Sequence, residues 1–320
     1  MKTESDRPQL SIIVPIFNDF ELANHFCSEV VSTFEKYFQT YSLLGLVEII
    51  FVDDGSLEDN FDAFSRLKLD YPFIRAILFS RNFGQHIAIS CGYEHAEGQY
   101  VGMMNVDLQE KTDEIPKYLD RLKKGDCDIV YGMRRERSGA ISEKISSWVF
   151  YLVFNFLTGY KTPRNVGTMR FMTSECVSRF RMLSERSRHL PGLEQWLGFR
   201  PAYVEIEHHE REEGVSSYTF YRRLKMAIET VIGFSDFPLK LITLVGLATA
   251  GAGFISVVSL AVARFTMLET LPGYLTTIST IILLSGVQIV VVGVSALYIG
   301  RILVEAQGRP VWVIRKIVDN

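Results

Sequence analysis

The chain is poor in the features that most quickly assign a function. No G-x-G-x-x-G follows its first apolar run, and no G-x-x-x-x-G-K-[ST] occurs anywhere, which disfavours a dinucleotide site and a P-loop. A net charge of −3, a pI of about 6.1 and the lack of any long basic run argue against nucleic acid as a partner. The four cysteines (Cys27, Cys91, Cys127, Cys176) are too irregularly spaced for a zinc pattern or a disulfide framework, and read as reduced thiols on the cytosolic side. The first ten residues lack an apolar core, so a cleavable signal peptide is not expected. Repeats and low-complexity segments are also missing.

Apolar residues are plentiful, at 48% of the 320 residues, and the excess lies after residue 238. Before it, short apolar runs alternate with stretches of helical spacing. Strands are expected at 10–15, Val47–Val52, Ile74–Phe79, from Tyr100 onward and at Asp128–Tyr131. Helices are expected at 19–39, 57–70, from about 85 to 98 and at 113–124. This alternation predicts an α/β domain with a mostly parallel sheet and helices on both faces.

Polar groups follow three successive strands: Asn18 and Asp19, Asp53 and Asp54, then Asn105 and Asp107. Open α/β sheets bind ligands at the carboxyl ends of their strands, where the winding reverses. In Y-V-G-M-M-N-V-D-L-Q-E (100–110), Asn105, Asp107 and Gln109 alternate, and alternate side chains of an extended chain share one face. Three oxygen donors on that face suit a hard cation, Mg²⁺ or Mn²⁺; solvated polar residues at a strand end give the same pattern. The cluster Glu207-His208-His209-Glu210 is a weaker metal candidate, because neighbours on a strand face opposite ways.

Leu241–Ala263 and Leu271–Gly300 hold 23 and 30 residues without a charge, each enough to span a bilayer. Basic residues flank their outer ends (Arg222, Arg223, Lys225, Lys240; Arg301, Arg309, Arg315, Lys316), and only Arg264 lies between them. That bias puts both ends in the cytosol, so the chain is expected in the cytoplasmic membrane, with its catalytic domain and both termini cytosolic. Residues 218–234 mix aromatic and basic side chains, as an interfacial helix does, and point to a lipid substrate with an anionic head. Residues 141–158 fit either a core helix or a second interfacial one. The expected divisions are 1–215, 216–238, 239–302 and a cytosolic tail, 303–320.

The motifs S-I-I-V-P-I-F-N (11–18), F-V-D-D-G-S (51–56), R-N-F-G-Q-H (81–86), N-V-D-L-Q (105–109), G-M-R-R-E-R (132–137) and R-E-E-G-V-S-S-Y (211–218) occur in order before the paired apolar segments. Y-I-G-R-I-L (298–303) and G-R-P (308–310) follow. Together they resemble family 2 glycosyltransferases of the GT-A fold that act on polyprenyl phosphates, over nearly the whole chain. The resemblance implies inverting transfer of a sugar from a nucleotide-sugar donor to a polyprenyl phosphate, with a divalent metal. It implies that Pro15, Asn18, Asp53 and Asp54 hold the nucleotide, with Arg81 and Asn82 nearby, and that Asp107 and Gln109, with Asn105 at the third position, hold the metal. By the same likeness Arg134, Arg137, Arg211, Ser216 and Tyr218 meet donor and acceptor phosphates, and relatives suggest an oligomer such as a tetramer. Two positions depart from the family pattern: Asn105 stands where the first aspartate of Asp-x-Asp-x-Gln is usual, and Asn165 stands where an aspartate before Val166-Gly167 is usual. Processive synthases usually carry Q-x-x-R-W, which this chain lacks. A weakly catalytic nucleotide-sugar-binding scaffold is the alternative from another class.

Overall fold

The computed structural model of the protein describes residues 7–39, 43–134, 166–186, 188–206, 237–266 and 273–319. They fall into two units. The first is built on a sheet of eight strands, in the order β7-β5-β6-β4-β1-β2-β3-β8.

Strands β1 (Leu10–Ile16), β2 (Val47–Asp53) and β3 (Ile74–Phe79) are near-continuous apolar runs because helices cover both of their faces. On one face, Ile12, Val14, Phe51 and Ile49 join a core with Phe26 of α1 (Leu22–Phe38) and Phe64 of α2 (Phe61–Asp70). The rings of Phe51 and Phe64 lie 5.5 Å apart, and each fully buried ring contributes roughly 1.5–3 kcal/mol. On the other face, Gly92 of α3 (Gln85–His95) admits Ile13; a Cβ there would come within 2.3 Å of its Cγ2. Helix α1 buries Ala23, Phe26, Cys27, Val30 and Phe34 at three- and four-residue spacing, while Leu22, expected on that face, is exposed.

β1 pairs in parallel with β2 on one side and with β4 (Tyr100–Met103) on the other, and β2 pairs in parallel with β3. The chain thus winds outward from β1 to β3, then returns to the far side of β1. The switch point lies between β1 and β4. Pro15 is tolerated inside β1 because β4 pairs only as far as Ile13, so its missing N–H deprives no neighbour on that side.

The parallel pairings are joined by antiparallel ones, so the sheet is mixed. β6 (Val166–Thr173) enters antiparallel between β4 and β5 (Ile129–Arg134), and β7 (Pro201–Ile206) adds in parallel to β5. Helices α4 (Ile115–Lys123), α5 (Ser174–Arg181) and α6 (Leu190–Trp196) complete the covering layers. Because β6 runs antiparallel to β4, with Met103 opposite Arg170, the start of β6 lies beside the carboxyl end of β4. The segment expected as a tail instead supplies β8 (Ile314–Val318), antiparallel to β3. Asp59 meets Arg315 and Lys316, and Lys316 lies over the Phe61 ring at 4.6 Å.

The second unit holds two long helices, α7 (Phe237–Thr266) and α8 (Tyr274–Ala306). Within α8, Leu284–Ala306 is long and apolar enough to cross a membrane. The segments 141–158, 207–210 and 218–234 lie outside the described residues.

Candidate functional site

The carboxyl ends of β1, β2 and β3 are bound together through backbone groups. Asp53 closes the β2 strand: its Oδ1 accepts from Ser56 N (2.8 Å) and its Oδ2 from Asn60 Nδ2 (2.9 Å). Asp54 reaches across to the loop after β3, where its two oxygens accept from Phe83 N (2.7 Å) and Gly84 N (2.8 Å). Both carboxylates are almost fully buried. Burial raises the Asp54 carboxyl above its ordinary range; the two N–H bonds oppose this, and neighbouring Asp53 adds to it. Gly55 makes the close approach possible. Its φ is +71°, and a Cβ there would lie 2.2 Å from the carbonyl carbon of Arg81.

Asn18 ties β1 to the same cluster. It sits at φ 62°, a conformation asparagine tolerates; its N–H donates to Ser56 Oγ (2.9 Å), and its Oδ1 accepts from Leu57 N (2.9 Å). Arg81 is exposed, stacked over Phe83 at 4.0 Å, and donates to Asn82 O (3.1 Å). Asn18, Asp53, Asp54, Arg81 and Asn82 therefore share one rim. Pro15 is buried within β1.

The end of β4 differs from the expectation of an extended chain. The strand stops at Met103, Val106 and Asp107 form a turn, and Leu108 takes φ +51°. A turn, not strand alternation, sets the directions of Asn105, Asp107 and Gln109. Gln109 N donates to Asp107 Oδ1 at 3.3 Å. Asn105 faces sideways: its Oδ1 accepts from Gln85 Nε2 (3.0 Å), and its Nδ2 donates to Thr168 Oγ1 (3.0 Å). Glu110 is buried and anchors β6, accepting from Thr168 N (3.0 Å), Met169 N (2.5 Å) and Thr168 Oγ1 (3.1 Å). A Cβ on Gly167 would lie 2.1 Å from Glu110 Oε1, so a side chain there would displace that carboxylate.

Beneath this rim lies a buried ion pair, Arg170 Nε to Glu194 Oε1 at 3.0 Å, with the Tyr131 hydroxyl donating to Glu194 Oε2 (3.0 Å). Burial raises the Glu194 carboxyl, and the Arg170 charge opposes it. Alongside, His86 and His189 meet edge to face at 5.5 Å. Desolvation, then the neighbouring charges, lowers both imidazoles; the effect is the firmer at His189, which is half-buried, whereas His86 is exposed to solvent. Buried thiols complete the inert interior: desolvation pushes Cys27 and Cys91 up to about 12.

Three carboxylates outside the motifs were available as general bases from the sequence. Glu110 is committed to β6, Asp113 pairs with Lys36 at 3.0 Å, and Glu194 is a core residue rather than a surface one. Arg134 ends β5; Arg137, Arg211, Ser216 and Tyr218 lie outside the described residues. No sequence motif singles out Thr168 or Arg170. Gln85 carried a signal, as part of R-N-F-G-Q-H. Among the described residues no three His, Cys, Asp or Glu side chains gather as a metal cluster. Asp107 and Gln109 do fit part of a hard-cation shell, an oxygen pair on one turn that needs further oxygens from a ligand.

The profile of the family described as Glycosyl transferase family 2 matches residues 11–182. The SfII prophage-derived bactoprenol glucosyl transferase of Shigella flexneri is 31% identical, over 96% of this chain and 98% of its own. The prophage bactoprenol glucosyl transferase homolog of Escherichia coli K12 is 30% identical, over 97% and 99%. Among solved structures, a mannosyltransferase of Pyrobaculum calidifontis in complex with GDP-Man and Mn²⁺ is 19% identical with a TM-score of 0.49, covering 95% of this chain and 88% of its own.

Proposed function

This chain belongs to glycosyl transferase family 2 and is a glycosyltransferase, and we propose that it moves a sugar, with inversion, from a nucleotide-sugar donor to polyprenyl phosphate at the cytosolic face of a membrane. The observation that carries this reading is a single chain in which polar loops converge at the switch point between β1 and β4 and an apolar helix is long enough to span a bilayer. The relatives named for bactoprenol glucosyl transfer support a polyprenyl acceptor.

In this reading Asn18, Asp53 and Asp54 shape the pocket for base and ribose, with Arg81 and Asn82 at its edge. Asp107 and Gln109 hold a Mg²⁺ or Mn²⁺ ion, which when bound would offset negative charge on the diphosphate. Arg134 and Arg137 add guanidinium forks for phosphate oxygens. Arg211, Ser216 and Tyr218 close over the donor and acceptor phosphates. The acceptor is itself a phosphate with a second pKa of roughly 6, so it is largely ionised at neutral pH and needs no strong base. That agrees with Glu110, Asp113 and Glu194 each being engaged elsewhere. The apolar helices hold the enzyme where its acceptor resides, with both ends of the chain in the cytosol.

The test is incubation of the purified protein with undecaprenyl phosphate and a panel of UDP-sugars, with and without Mn²⁺. Formation of a lipid-linked monosaccharide is expected. Retained nucleotide binding with no turnover of any donor would instead favour a binding scaffold.

A further inference from the structure

Four side chains at the β4–β6 rim form a hydrogen-bond chain whose direction can be worked out by counting protons. Glu110 accepts from two backbone N–H groups and, as a carboxylate, has none to give. The single proton of the Thr168 hydroxyl therefore goes to Glu110 Oε2, 3.1 Å away. Thr168 Oγ1 must then accept from its other neighbour, which requires an N–H at position 105. Asn105 Nδ2 supplies it at 3.0 Å, and this turns the carbonyl end of Asn105 toward Gln85 Nε2, also at 3.0 Å. The direction Gln85 → Asn105 → Thr168 → Glu110 follows from the chemistry of its last member.

We propose that Asn105 is a positioning residue, not a metal ligand, and that its carboxamide sets the polarity of this chain. It clamps the end of β4 to the start of β6. An aspartate at 105 would supply no proton. Two carboxylates would compete for one hydroxyl hydrogen, and the chain would break at Thr168. The identities at 105 and 168 are thus matched: an amide beside a hydroxyl here, or a carboxylate beside a residue with two protons to give. Asn at 168 has two, one for each carboxylate.

The inference rests on the metal reading of Asp107 given above, and the experiment separates the two. Thermal midpoints are measured in EDTA, so that no metal contributes, and Mn²⁺ affinity is measured by titration in the presence of UDP. Asn105→Asp is expected to lower the midpoint by about 3 °C, the shift for one misplaced hydrogen bond in a domain of this size. The double variant Asn105→Asp/Thr168→Asn is expected to recover more than half of that loss. Asn105→Ala, which introduces no repulsion and guards against an unfolded aspartate variant, is expected to keep Mn²⁺ affinity within about threefold, whereas Asp107→Asn loses more than about tenfold. An Asn105→Asp protein that binds Mn²⁺ more tightly with an unchanged midpoint overturns the proposal, as does an alanine variant that loses Mn²⁺ like Asp107→Asn. If Asp107→Asn leaves Mn²⁺ affinity intact, the metal reading falls, while the EDTA midpoints still decide the role of Asn105.

Discussion

The two sides of the switch point are built differently. Across β1–β3, carboxylates are spent on main-chain N–H groups: Asp53 and Asp54 hold Ser56, Phe83 and Gly84, and Gly55 lets two loops touch backbone to backbone. Across β4–β6, Glu110 likewise holds two main-chain N–H groups, but a line of side chains is added, from Gln85 through Asn105 and Thr168 to Glu110. Loops fixed through backbone tolerate little change at their anchors and present a preformed surface. A clamp made of side chains can be retuned one residue at a time. This fits the chain's departure from the family pattern falling on the second side, at Asn105.

The largest expected effect lies on the second side and concerns chemistry. Asp107→Ala should lower sugar transfer by more than about a hundredfold with little change in the unfolding midpoint; an intact transfer rate would take the β4 turn out of the site. Next comes the ion pair beneath it. Arg170→Leu leaves the Glu194 carboxylate buried without its partner, so urea unfolding should show a loss of about 3–5 kcal/mol. A cost under about 1 kcal/mol would show that the clamp does not depend on that pair.

On the first side, Asp54→Asn presents an amide to one of two N–H donors, so about 1–3 kcal/mol of stability should go, and UDP affinity with it. If affinity holds while stability falls, the backbone anchor is not what shapes the pocket. The same variant carries a pH signature. Because the folded Asp54 carboxyl is raised, its contribution is present at low pH and lost as pH rises through the folded value; the amide removes that slope. The smallest effect is at His189, whose folded value of about 4 lies below its ordinary 6.5. Its contribution is complete above 6.5 and lost as pH falls toward 4, so His189→Gln should flatten that part of the stability profile.

The parallel half of the fold was legible in the sequence because strands buried on both faces are apolar throughout and end in polar loops. β1, β2 and β3 fall within a residue or two of their expected positions. Helix α2 begins at Phe61 rather than 57 because Asn60 turns its side chain to Asp53. The antiparallel entry of β6 carries no local signal, since its neighbours are chosen by topology. The site was half legible. That Asn18, Asp53, Asp54 and Asn105 stand at strand ends follows from the strand boundaries; that Asn105 meets Thr168 depends on a pairing 63 residues away. The strand alternation expected for Asn105, Asp107 and Gln109 gives way to a turn, because Leu108 adopts a left-handed conformation that strand periodicity cannot anticipate.

The position of β8 also bears on how the enzyme is made. Synthesis runs from the amino end, so β3 emerges early with a bare, apolar edge, and its partner is translated only after both long helices. An open edge of that kind invites pairing with other chains. The sheet is therefore completed last by the piece that leaves the ribosome after α8, and a ribosome that stops within either helix releases a domain with an exposed seam. Such a product would be prone to aggregation and a ready substrate for proteases.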